Sequence, residues 1–557
     1  MSATLKIYCV NTGSYIDAEG GDSLDRIYQR SLAGQLGFRP VCAYVNNKTE
    51  GMQYRVYAPK MVEFLDPSSQ PADRVYVRSL CMMLYKAVAD TFSGARLRIE
   101  HSVSHGYYCT LSGAGEVTPA MVGAIERKMR ELVARDIPFR RLERLTTDVA
   151  AMFRSQGLDD KARLLDTLHE LYTTYYELDG TADSYYCPMV PSTGVLGVFG
   201  LIPYKEVMLL TGRDPGNLSE PRRPVEQEKM FRAFTDHVRF NSIIGVRNAG
   251  ELNEMVERGQ EAMVINIAEA LHNKMIASIA DEIAERHRNG GARIVLVAGP
   301  SSSGKTTFTK RLAIQLMANL LKPKMISLDD YFVDREATPL DEYGEYDYES
   351  LYALDLATFN DHLNRLLAGE AVQLPRYNFE RGLSELSGEL MSIDSDSVLL
   401  LEGIHGLNPE LTAQVDPRMK YTVYVSALTT ISVDDHNWVP TTDNRLLRRI
   451  IRDYKYRGVS AVDTIRRWPS VRRGEERWIF PYQENADTTF NSSLLFELGV
   501  LKERGEEILR RVPRDIPEYA EAYRLRKFLS YFASVSEKYI PSTSLLREFL
   551  GGISFHY

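Results

Sequence analysis

The chain has 557 residues, of which 44% are hydrophobic and 25% are charged. At roughly 150 residues per domain, this length predicts about three or four domains, and the composition is that of a folded globular protein rather than a disordered, collagenous or coiled-coil one. The 67 basic and 75 acidic side chains give a net charge of −8, which argues against a general nucleic-acid coat.

Targeting and redox signals are absent from the sequence pattern. No apolar run approaches the ~18 residues that a membrane-spanning helix needs. The first ten residues lack the basic and apolar segments of a secretory signal peptide. Five scattered cysteines without Cys-x-x-Cys spacing disfavour a disulfide framework and a cysteine zinc site. We therefore expect a cytoplasmic protein with no membrane partner.

The first 66 residues have the pattern of a small compact unit. Leu5–Val10 alternates like a strand, and Ser23–Leu36 is predicted as a helix whose first residue is a good N-cap. Val41–Val45 and Met61–Leu65 are predicted as two further strands. This order resembles the TGS domain, the β-grasp module at the start of threonyl-tRNA synthetases.

A second unit follows, from about residue 73 to 210. Pro119–Arg135 has apolar residues at helical spacing, and Pro138 comes just after its end. Asp214–Pro224 is rich in turn-forming residues and is predicted as a linker. Ile265–Ile283 is predicted as an amphipathic helix.

This second unit resembles the second additional domain of threonyl-tRNA synthetases, an α+β domain that hydrolyses mischarged tRNA with a His-x-x-x-His pair and a later Cys/His pair. At the family positions, Arg78–Met82 contains no histidine, and Cys187–Pro191 supplies only a cysteine. The resemblance therefore implies a domain without editing activity that binds RNA or mediates dimerisation or regulation.

Two other histidines raise the question of a metal site. His101 and His105 could bind a metal together with Cys109 if the segment were helical. Gly106–Tyr108 favours a strand or a turn, which would separate them. We expect structural or substrate-contacting histidines here.

A predicted strand over Arg293–Ala298 leads directly into a glycine-rich loop and then into a helical pattern. The loop has the phosphate-binding form GxxxxGK[ST] in its expected strand–loop–helix context. Its backbone N–H groups would face phosphates, Lys305 would reach the β- and γ-phosphates, and Thr306 would bind Mg²⁺. The predicted ATP site consists of Gly299, Pro300, Ser301, Ser302, Ser303, Gly304, Lys305, Thr306 and Thr307. The residues expected to pack the next helix on the sheet are Phe308, Leu312, Leu316 and Leu320.

Two more predicted strands end in carboxylates. Asp329 follows a short strand that begins at Met325, and Glu402 follows Ser397–Leu401. Ligands bind at the carboxyl ends of parallel strands. Asp329 is therefore the candidate general base, with Asp330 as a structural neighbour, and Glu402 is the candidate Mg²⁺-side acid. A turn or capping role is the alternative for each.

The segment Arg445–Arg473 holds ten basic residues and two acidic ones, a local charge of +8. Its first arginines have the spacing of one helical face. Phosphoryl transfer needs cations over the transferring group, often on a mobile lid. A solvated face and an RNA contact are the alternatives. The predicted lid residues are Arg448, Arg452 and Arg457.

Taken in chain order, these motifs resemble the uridine kinase and phosphoribulokinase branch of P-loop kinases. The matching segments are Gly299–Thr306, Asp329–Phe332, Tyr346–Glu349, Pro375–Phe379, Glu402–Ile404 and Asp443–Arg449. The resemblance implies that Asp329 activates a ribose 5′-hydroxyl, that Glu349 contacts the ribose and that Tyr377 stacks on the base. It also implies phosphate or substrate contacts for Arg445 and Arg449.

Two departures from that family bear on the substrate. Uridine kinases usually have Asp where Glu349 stands, and Gly382 occupies the place of the histidine that reads a pyrimidine. Loss of that hydrogen bond would relax or redirect base choice. We therefore expect an ATP- and Mg²⁺-dependent nucleoside kinase. The alternatives are an ATP-switched protein that binds RNA, tRNA or the ribosome, and a kinase for another small sugar or polyol.

The whole chain resembles a bacterial group of nucleoside or uridine kinases with a synthetase-like N-terminus. Arg472–Glu475, Phe480–Pro481 and Arg547–Gly552 look like signatures of that group, the last without a predicted role beyond docking a tail. A homo-oligomer and RNA contacts through the front modules are compatible with this resemblance. The expected multidomain α/β architecture comprises a β-grasp module (1–66), a synthetase-like domain (70–212), a linker and helical segment (213–288), a P-loop kinase domain with a parallel sheet (289–505) and a helical tail (506–557).

Overall fold

The computed structural model of the protein describes residues 4–555. The first elements are β1 (Thr4–Cys9), β2 (Ser14–Glu19), α1 (Leu24–Ser31), β3 (Cys42–Val45), β4 (Thr49–Gly51) and β5 (Met61–Phe64). They form a mixed sheet with strand order β2-β1-β5-β3-β4, in which β1 and β5 are parallel. The Ser23 hydroxyl accepts the Arg26 N–H at 3.2 Å and caps α1, as its sequence position predicts.

The next region surrounds one long helix. Its elements are α2 (Gln70–Thr91), β6 (Arg96–Val103), β7 (Gly106–Ser112), α3 (Pro119–Arg135), β8 (Arg140–Leu145), α4 (Thr146–Ser155), α5 (Asp159–Thr167), β9 (Tyr172–Leu178), β10 (Thr181–Asp183), β11 (Gly200–Tyr204) and β12 (Val207–Thr211). Two antiparallel sheets, β11-β12-β7-β6 and β10-β9-β8, pack with α2 and α3 around one core. The predicted bounds of α3 are confirmed.

The segment after this region is not the linker that its turn-forming residues predict. It forms a hairpin of β13 (Arg213–Asp214) and β14 (Asn217–Pro221), and Arg222 then pairs with Asp73 at 3.4 Å. The turn residues therefore join two strands. Three helices follow: α6 (Glu228–Ile244), α7 (Ala249–Glu257) and α8 (Glu261–Arg288).

A parallel sheet forms the centre of the remaining chain. Its elements are β15 (Ile294–Ala298), α9 (Lys305–Ala318), β16 (Lys322–Ser327), α10 (Leu356–Leu367), β17 (Val372–Asn378), β18 (Leu383–Met391), β19 (Ser397–Glu402), β20 (Lys420–Ser426), α11 (Thr441–Tyr456), α12 (Ala461–Trp478) and β21 (Thr488–Asn491). The strand order is β16-β19-β15-β20-β21, while β17 and β18 form a separate hairpin. All neighbouring strands of the five-stranded sheet are parallel, and β15, which leads into the glycine-rich loop, is its central strand.

The sheet and the helix after its first strand are packed by buried apolar side chains. Phe308, Leu312 and Leu316 of α9 are buried as predicted. Leu320 is not: α9 ends at Ala318, and Leu320 has a φ of +65° and is 87% exposed. A residue beyond the helix end leaves the helical face that points to the sheet.

The C-terminal helices share a core with helices that flank the parallel sheet. They are α13 (Glu497–Arg510), α14 (Tyr519–Leu529) and α15 (Arg547–Leu550). Leu447 of α11 belongs to the same buried cluster as Leu501, Phe528 and Phe549. α13 runs across the predicted boundary between kinase and tail, so the tail is built into this part of the fold. None of the helices within residues 4–555 combines the length and apolarity needed to cross a membrane.

Candidate active site

Strand register brings the predicted chemical groups to one edge of the parallel sheet. Glu402 at the end of β19 pairs with Val297 of β15 on one side and with Ser327 of β16 on the other. The phosphate-binding loop follows β15 directly, and Asp329 comes two residues after Ser327. The loop, the candidate base and the candidate metal-side acid therefore meet at the carboxyl ends of three adjacent strands.

The phosphate-binding loop runs close to the neighbouring backbone. A Cβ on Gly299 would overlap the Val425 carbonyl oxygen, so this position needs glycine. Gly304, with a φ of +84°, turns the chain into α9. The hydroxyls of Ser302 and Ser303 are buried and, within residues 4–555, have no hydrogen-bond partner. A phosphate would provide the missing acceptors.

The groups that would hold Mg²⁺ and the outer phosphates lie beside this loop. The Thr306 hydroxyl donates to Glu402 Oε2 at 3.4 Å, and Lys305 Nζ donates to the Pro300 carbonyl at 3.3 Å. A hydroxyl and a carboxylate are oxygen ligands of the kind Mg²⁺ prefers. The residues present therefore fit a Mg²⁺–nucleotide complex.

Asp329 lies in a short 3₁₀ turn and is exposed. Desolvation by the surrounding protein raises the pKa of its carboxyl, and the positive charges of Lys305 and Arg457 oppose that shift. Burial raises the pKa of its neighbour Asp330, and an interaction with the backbone of Tyr377 opposes that rise. Of the two carboxylates, Asp330 is thus engaged with the hairpin backbone, which leaves Asp329 as the candidate base.

Two further carboxyls of the site have strongly raised pKa values. Burial raises the pKa of Glu402 to about 7, with the charge of Asp329 adding to the effect and Lys305 opposing it. Burial also raises the pKa of Glu349 to about 7, helped by the charge of Glu475 and opposed by Arg449. Glu349 Oε2 is buried without a hydrogen-bond partner among the described residues. It is therefore placed to accept a hydrogen bond from a ligand hydroxyl.

Two of the arginines predicted to contact phosphate or substrate or to form the lid, Arg445 and Arg448, are buried and ion-paired in the structure. Arg445 is 1% exposed, pairs with Glu475, and donates from Nε to the Ser301 carbonyl at 3.0 Å. Arg448 is fully buried and ion-paired with Glu497. Both guanidiniums donate hydrogen bonds to backbone carbonyls of the phosphate loop, Arg445 to Ser301 and Arg448 to Ser302. The predicted phosphate or substrate contact of Arg445 and the predicted lid role of Arg448 stay predictions.

The remaining arginines of α11 and its end are held together by one carboxylate. Asp453 lies 2.8 Å from Arg452, 3.4 Å from Arg449 and 3.6 Å from Arg457. Arg449 also donates to the Ser301 hydroxyl at 2.9 Å. The charges of Arg457 and Arg452 oppose the rise that desolvation causes in the pKa of Asp329. These three cations remain candidates for contacts with phosphate.

Aromatic side chains around Tyr377 form a wall next to the short turn that carries Asp329. Tyr377 of β17 packs against Phe332 at 5.5 Å and Phe379 at 5.0 Å between ring centroids. Tyr377 is buried, whereas Phe379 is 58% exposed. A cavity of about 270 Å³ borders this wall and is lined by Tyr331, Phe332, Val333, Asp334, Asp355, Thr358, Pro375 and Ser384.

Arg335 fills the space that Gly382 leaves open. A Cβ on Gly382 would lie 2.7 Å from Arg335 Nε, and Arg335 Nη2 donates to the Phe379 carbonyl at 2.8 Å. Burial raises the pKa of the Tyr377 phenol, and the Arg335 guanidinium opposes that rise. A cationic donor therefore lies beside the aromatic wall, close to the position where the resemblance expects a histidine.

Comparison with known proteins assigns this region. Residues 294–494 match the Phosphoribulokinase / Uridine kinase family. The uridine kinase of Brevibacillus brevis is 30% identical over 199 residues, which are 36% of this chain and 84% of that protein. The chain belongs to this family. Members of the uridine kinase/phosphoribulokinase family are P-loop phosphotransferases that use ATP and usually Mg²⁺.

Other similarities cover different parts of the chain. A solved structure described as a "Possible Uridine Kinase" from Bacillus stearothermophilus covers 38% of this chain and 100% of that one, with 19% identity and a TM-score of 0.25. In the N-terminal region, the threonine–tRNA ligase of Desulforamulus reducens is 29% identical over 168 residues, 30% of this chain and 26% of the ligase. The chain thus spans about a quarter of that ligase.

His101 and His105 of the N-terminal half lie in different surroundings. His101 is in β6, where burial lowers its pKa to about 3, and it stacks on Phe234. His105 is in the turn before β7 with a φ of +62°. Of the strand or turn predicted at Gly106–Tyr108, the structure has the strand, because these residues begin β7. Within residues 4–555, no group of three or more His, Cys, Asp or Glu side chains could hold a metal ion.

The loop of residues 434–438 packs against the N-terminal half beside Arg78. By the resemblance to threonyl-tRNA synthetases, Arg78 stands where that family has a metal-binding histidine. Arg78 lies 3.4 Å from the Trp438 ring and donates to the Trp438 carbonyl at 3.0 Å. His436 Nδ1 donates to Asp183 Oδ2 at 2.7 Å, and the buried Lys161 also pairs with Asp183, at 2.8 Å. The 434–438 loop therefore fills the space next to Arg78, and that space is not an open hydrolytic site.

Sequence reasoning missed two acidic residues of the kinase site. Glu475 pairs with Arg445 and raises the pKa of Glu349, and Glu548 accepts hydrogen bonds from Thr307. Both lie in segments that stood out only by resemblance, Arg472–Glu475 and Arg547–Gly552. The resemblance of these two segments was a signal. No local sequence pattern, however, predicts which distant residue an acidic side chain will contact.

Proposed function

We propose that this protein is an ATP- and Mg²⁺-dependent nucleoside kinase that transfers the γ-phosphoryl group to a ribose 5′-hydroxyl. The observation that supports it most is the convergence of Lys305, Asp329 and Glu402 at one sheet edge, with the aromatic wall around Tyr377 beside them. The comparisons support the phosphotransferase part. The nucleoside part depends on the arrangement of the acceptor side.

Each group has a distinct role in this reaction. Asp329 takes the proton of the 5′-hydroxyl as its oxygen attacks the γ-phosphorus, and the bond from that phosphorus to the bridging oxygen breaks to release ADP. Lys305 and Arg449 neutralise charge on the phosphoryl oxygens. Thr306 and Glu402 would hold Mg²⁺, which would supply electrostatic stabilisation of the phosphates.

The acceptor side has features suited to a nucleoside. Glu349 has an unpartnered carboxylate oxygen for a sugar hydroxyl, and Tyr377 with Phe379 offers apolar ring surface for a base. Arg335 carries only donors. The base that it would read must therefore present acceptors, such as a carbonyl oxygen or an unprotonated ring nitrogen.

We propose a non-hydrolytic role for the front region. Its synthetase-like part serves as a docking domain for the kinase region, because the space beside Arg78 is filled by Trp438. The preceding mixed sheet, with its order β2-β1-β5-β3-β4, suits the β-grasp module expected from the resemblance to TGS domains. Neither part needs a metal ion or a water nucleophile for this role.

The decisive experiment is a transfer assay with the full chain, Mg-ATP and a panel of nucleosides, sugars, polyols and RNA. We expect nucleoside monophosphate and ADP in equal amounts, with production lost in Asp329→Asn. Phosphorylation of sugars or polyols but of no nucleoside would contradict the nucleoside assignment. ATP hydrolysis stimulated by RNA without any phosphorylated small molecule would contradict the kinase proposal altogether.

A further inference from the structure

The C-terminal helix α15 contributes a carboxylate to the phosphate-binding loop. Glu548 Oε2 accepts hydrogen bonds from the Thr307 hydroxyl at 2.7 Å and from the Thr307 backbone N–H at 3.3 Å. Gly304, the N-cap of α9, has no side chain to accept that N–H. Glu548 therefore caps α9 from about 240 residues away in the sequence.

The same donors belong to the nucleotide site. At the start of the helix that follows a GxxxxGK[ST] loop, backbone N–H groups and the helix dipole bind phosphate. Thr307 is fully buried in this arrangement. The neighbouring hydroxyls of Ser302 and Ser303 are buried without partners among the described residues, so the rest of the anion-binding surface lacks an acceptor. The chain's own carboxylate thus occupies one part of a site built for several anionic oxygens.

The segment that carries Glu548 is firmly anchored. Leu545 is fully buried in the core that contains Phe308 of α9. Arg547 donates to the Ile540 carbonyl at 2.7 Å, and Arg504 donates to the Leu550 carbonyl at 2.6 Å. The backbone is therefore fixed, and Glu548 can leave Thr307 by rotation about its side-chain bonds alone.

The negative charge of Glu548 would repel the phosphates of a bound nucleotide. Its charge already adds to the raised pKa of Glu402, an effect that Lys305 opposes. A triphosphate would bring several more negative oxygens to the same loop. The Glu548 carboxylate and the phosphate oxygens carry the same sign of charge, and their repulsion is stronger in a protein site than in bulk water. A carboxylate that remained on Thr307 would therefore weaken phosphate binding.

We propose that Glu548 is an affinity-determining residue of the nucleotide site: its carboxylate occupies the Thr307 donors in the free protein, and a phosphate of the incoming nucleoside triphosphate replaces it. This inference rests on the proposed binding of ATP at the loop. It means that the C-terminal segment, which lies outside residues 294–494, lowers the affinity of the loop for nucleotide.

The test compares the full-length chain with Glu548→Gln and Glu548→Ala by calorimetric titration with the Mg²⁺ complex of a non-hydrolysable ATP analogue. Removal of the competing carboxylate should lower the Kd by about tenfold in Glu548→Ala, the size expected for one charged hydrogen bond, and by less in Glu548→Gln. Glu507→Gln, which removes an exposed carboxylate on α13, is the matched control and should leave the Kd unchanged.

Thermal unfolding distinguishes a Glu548 that competes with the nucleotide from a Glu548 that only caps α9. Loss of the cap should lower the Tm of the free Glu548→Ala protein, while the rise in Tm caused by the nucleotide should be larger than in the parent. An unchanged or higher Kd in Glu548→Ala, with the parent binding normally, would overturn the inference alone. Absence of binding in the parent and in both variants would overturn the proposed nucleotide site itself.

Discussion

Gly474 of α12 lies directly against Glu349, so closely that a Cβ at position 474 would stand 2.7 Å from Glu349 Cγ and would overlap its Cβ. The helix can pass this close only because residue 474 has no side chain. The next residue, Glu475, is fully buried and raises the pKa of Glu349. The position of α12 therefore sets both the placement and the protonation of Glu349.

Substitution Gly474→Ala should displace Glu349. Since small misplacements of substrate-positioning groups are costly, kcat/KM for the acceptor should fall by about 100-fold, while the Kd for Mg-ATP stays the same. Steady-state kinetics and calorimetry measure the two effects. Gly123→Ala in α3, where a Cβ meets only Arg127 Nη1 at 3.5 Å, is the control and should not reduce activity. Equal loss of acceptor and ATP binding would contradict this role for Gly474.

Substitution of the two adjacent aspartates, Asp329 and Asp330, should have very different effects on kcat. Asp329→Asn removes the candidate base, so kcat should fall by about 10²- to 10⁴-fold with ATP binding preserved. Asp330→Asn keeps an oxygen that can interact with the backbone of Tyr377, and its kcat should stay within a few-fold of the parent. Single-turnover assays with the best nucleoside measure both. Similar losses in the two variants would remove Asp329 from the catalytic role.

Nucleotide binding should depend on pH through Glu402. Its raised pKa of about 7 means that the folded protein keeps this carboxyl protonated, and unable to bind Mg²⁺, at lower pH. The affinity for Mg-ATP should therefore rise by about tenfold between pH 6 and pH 8, and Glu402→Gln should lose this dependence. Glu349 titrates in the same range, so Glu349→Gln is measured alongside and should retain the dependence.

The same raised pKa values have a defined effect on stability. Between about pH 4.5 and pH 7, the unfolded chain has released the protons of Glu402 and Glu349, whereas the folded chain still holds them. The contribution of these groups to the free energy of unfolding therefore decreases as pH rises through that interval. Denaturant titrations of the nucleotide-free parent and Glu402→Gln should show a smaller decrease in the variant.

Arg335 should affect recognition of the base rather than chemistry. Arg335→Ala removes a charged donor beside Tyr377 and Phe379, so KM for the preferred nucleoside should rise by about tenfold with kcat nearly unchanged. Arg381→Ala removes an exposed arginine paired with Glu385 on the same hairpin and should leave KM unchanged. A fall in kcat with constant KM would argue against a base-reading role.

Trp438 should link the unfolding of the two halves. Trp438→Ala empties the position beside Arg78, and loss of a buried Trp costs about 3–5 kcal/mol. We expect one calorimetric transition in the parent and two in the variant, with the first at lower temperature. Leu171→Ala, at a site that is 70% exposed, should keep the single transition. A single, unshifted transition in Trp438→Ala would contradict the docking role of the loop.

Much of the kinase region follows from local patterns. The strand–loop–helix order around Gly299–Thr306 and the carboxylates that end two strands are short-range features, because strand, loop and helix propensities act over a few residues. Parallel pairing then brings those strand ends together. The α3 bounds were predictable for the same reason: its apolar spacing and flanking prolines lie within one segment.

By itself, the sequence determined the phosphate loop, the candidate base and metal-side acid, the family and the absence of the synthetase ligands. Only the tertiary structure decided that Arg445 and Arg448 are buried beneath the loop, that Trp438 fills the space beside Arg78, and that Glu548 reaches Thr307. These are pairings of charged or aromatic groups far apart in the chain. A run of arginines looks the same whether it faces solvent or a buried glutamate, because the partner that stabilises a buried charge is chosen by packing and not by its neighbours in sequence.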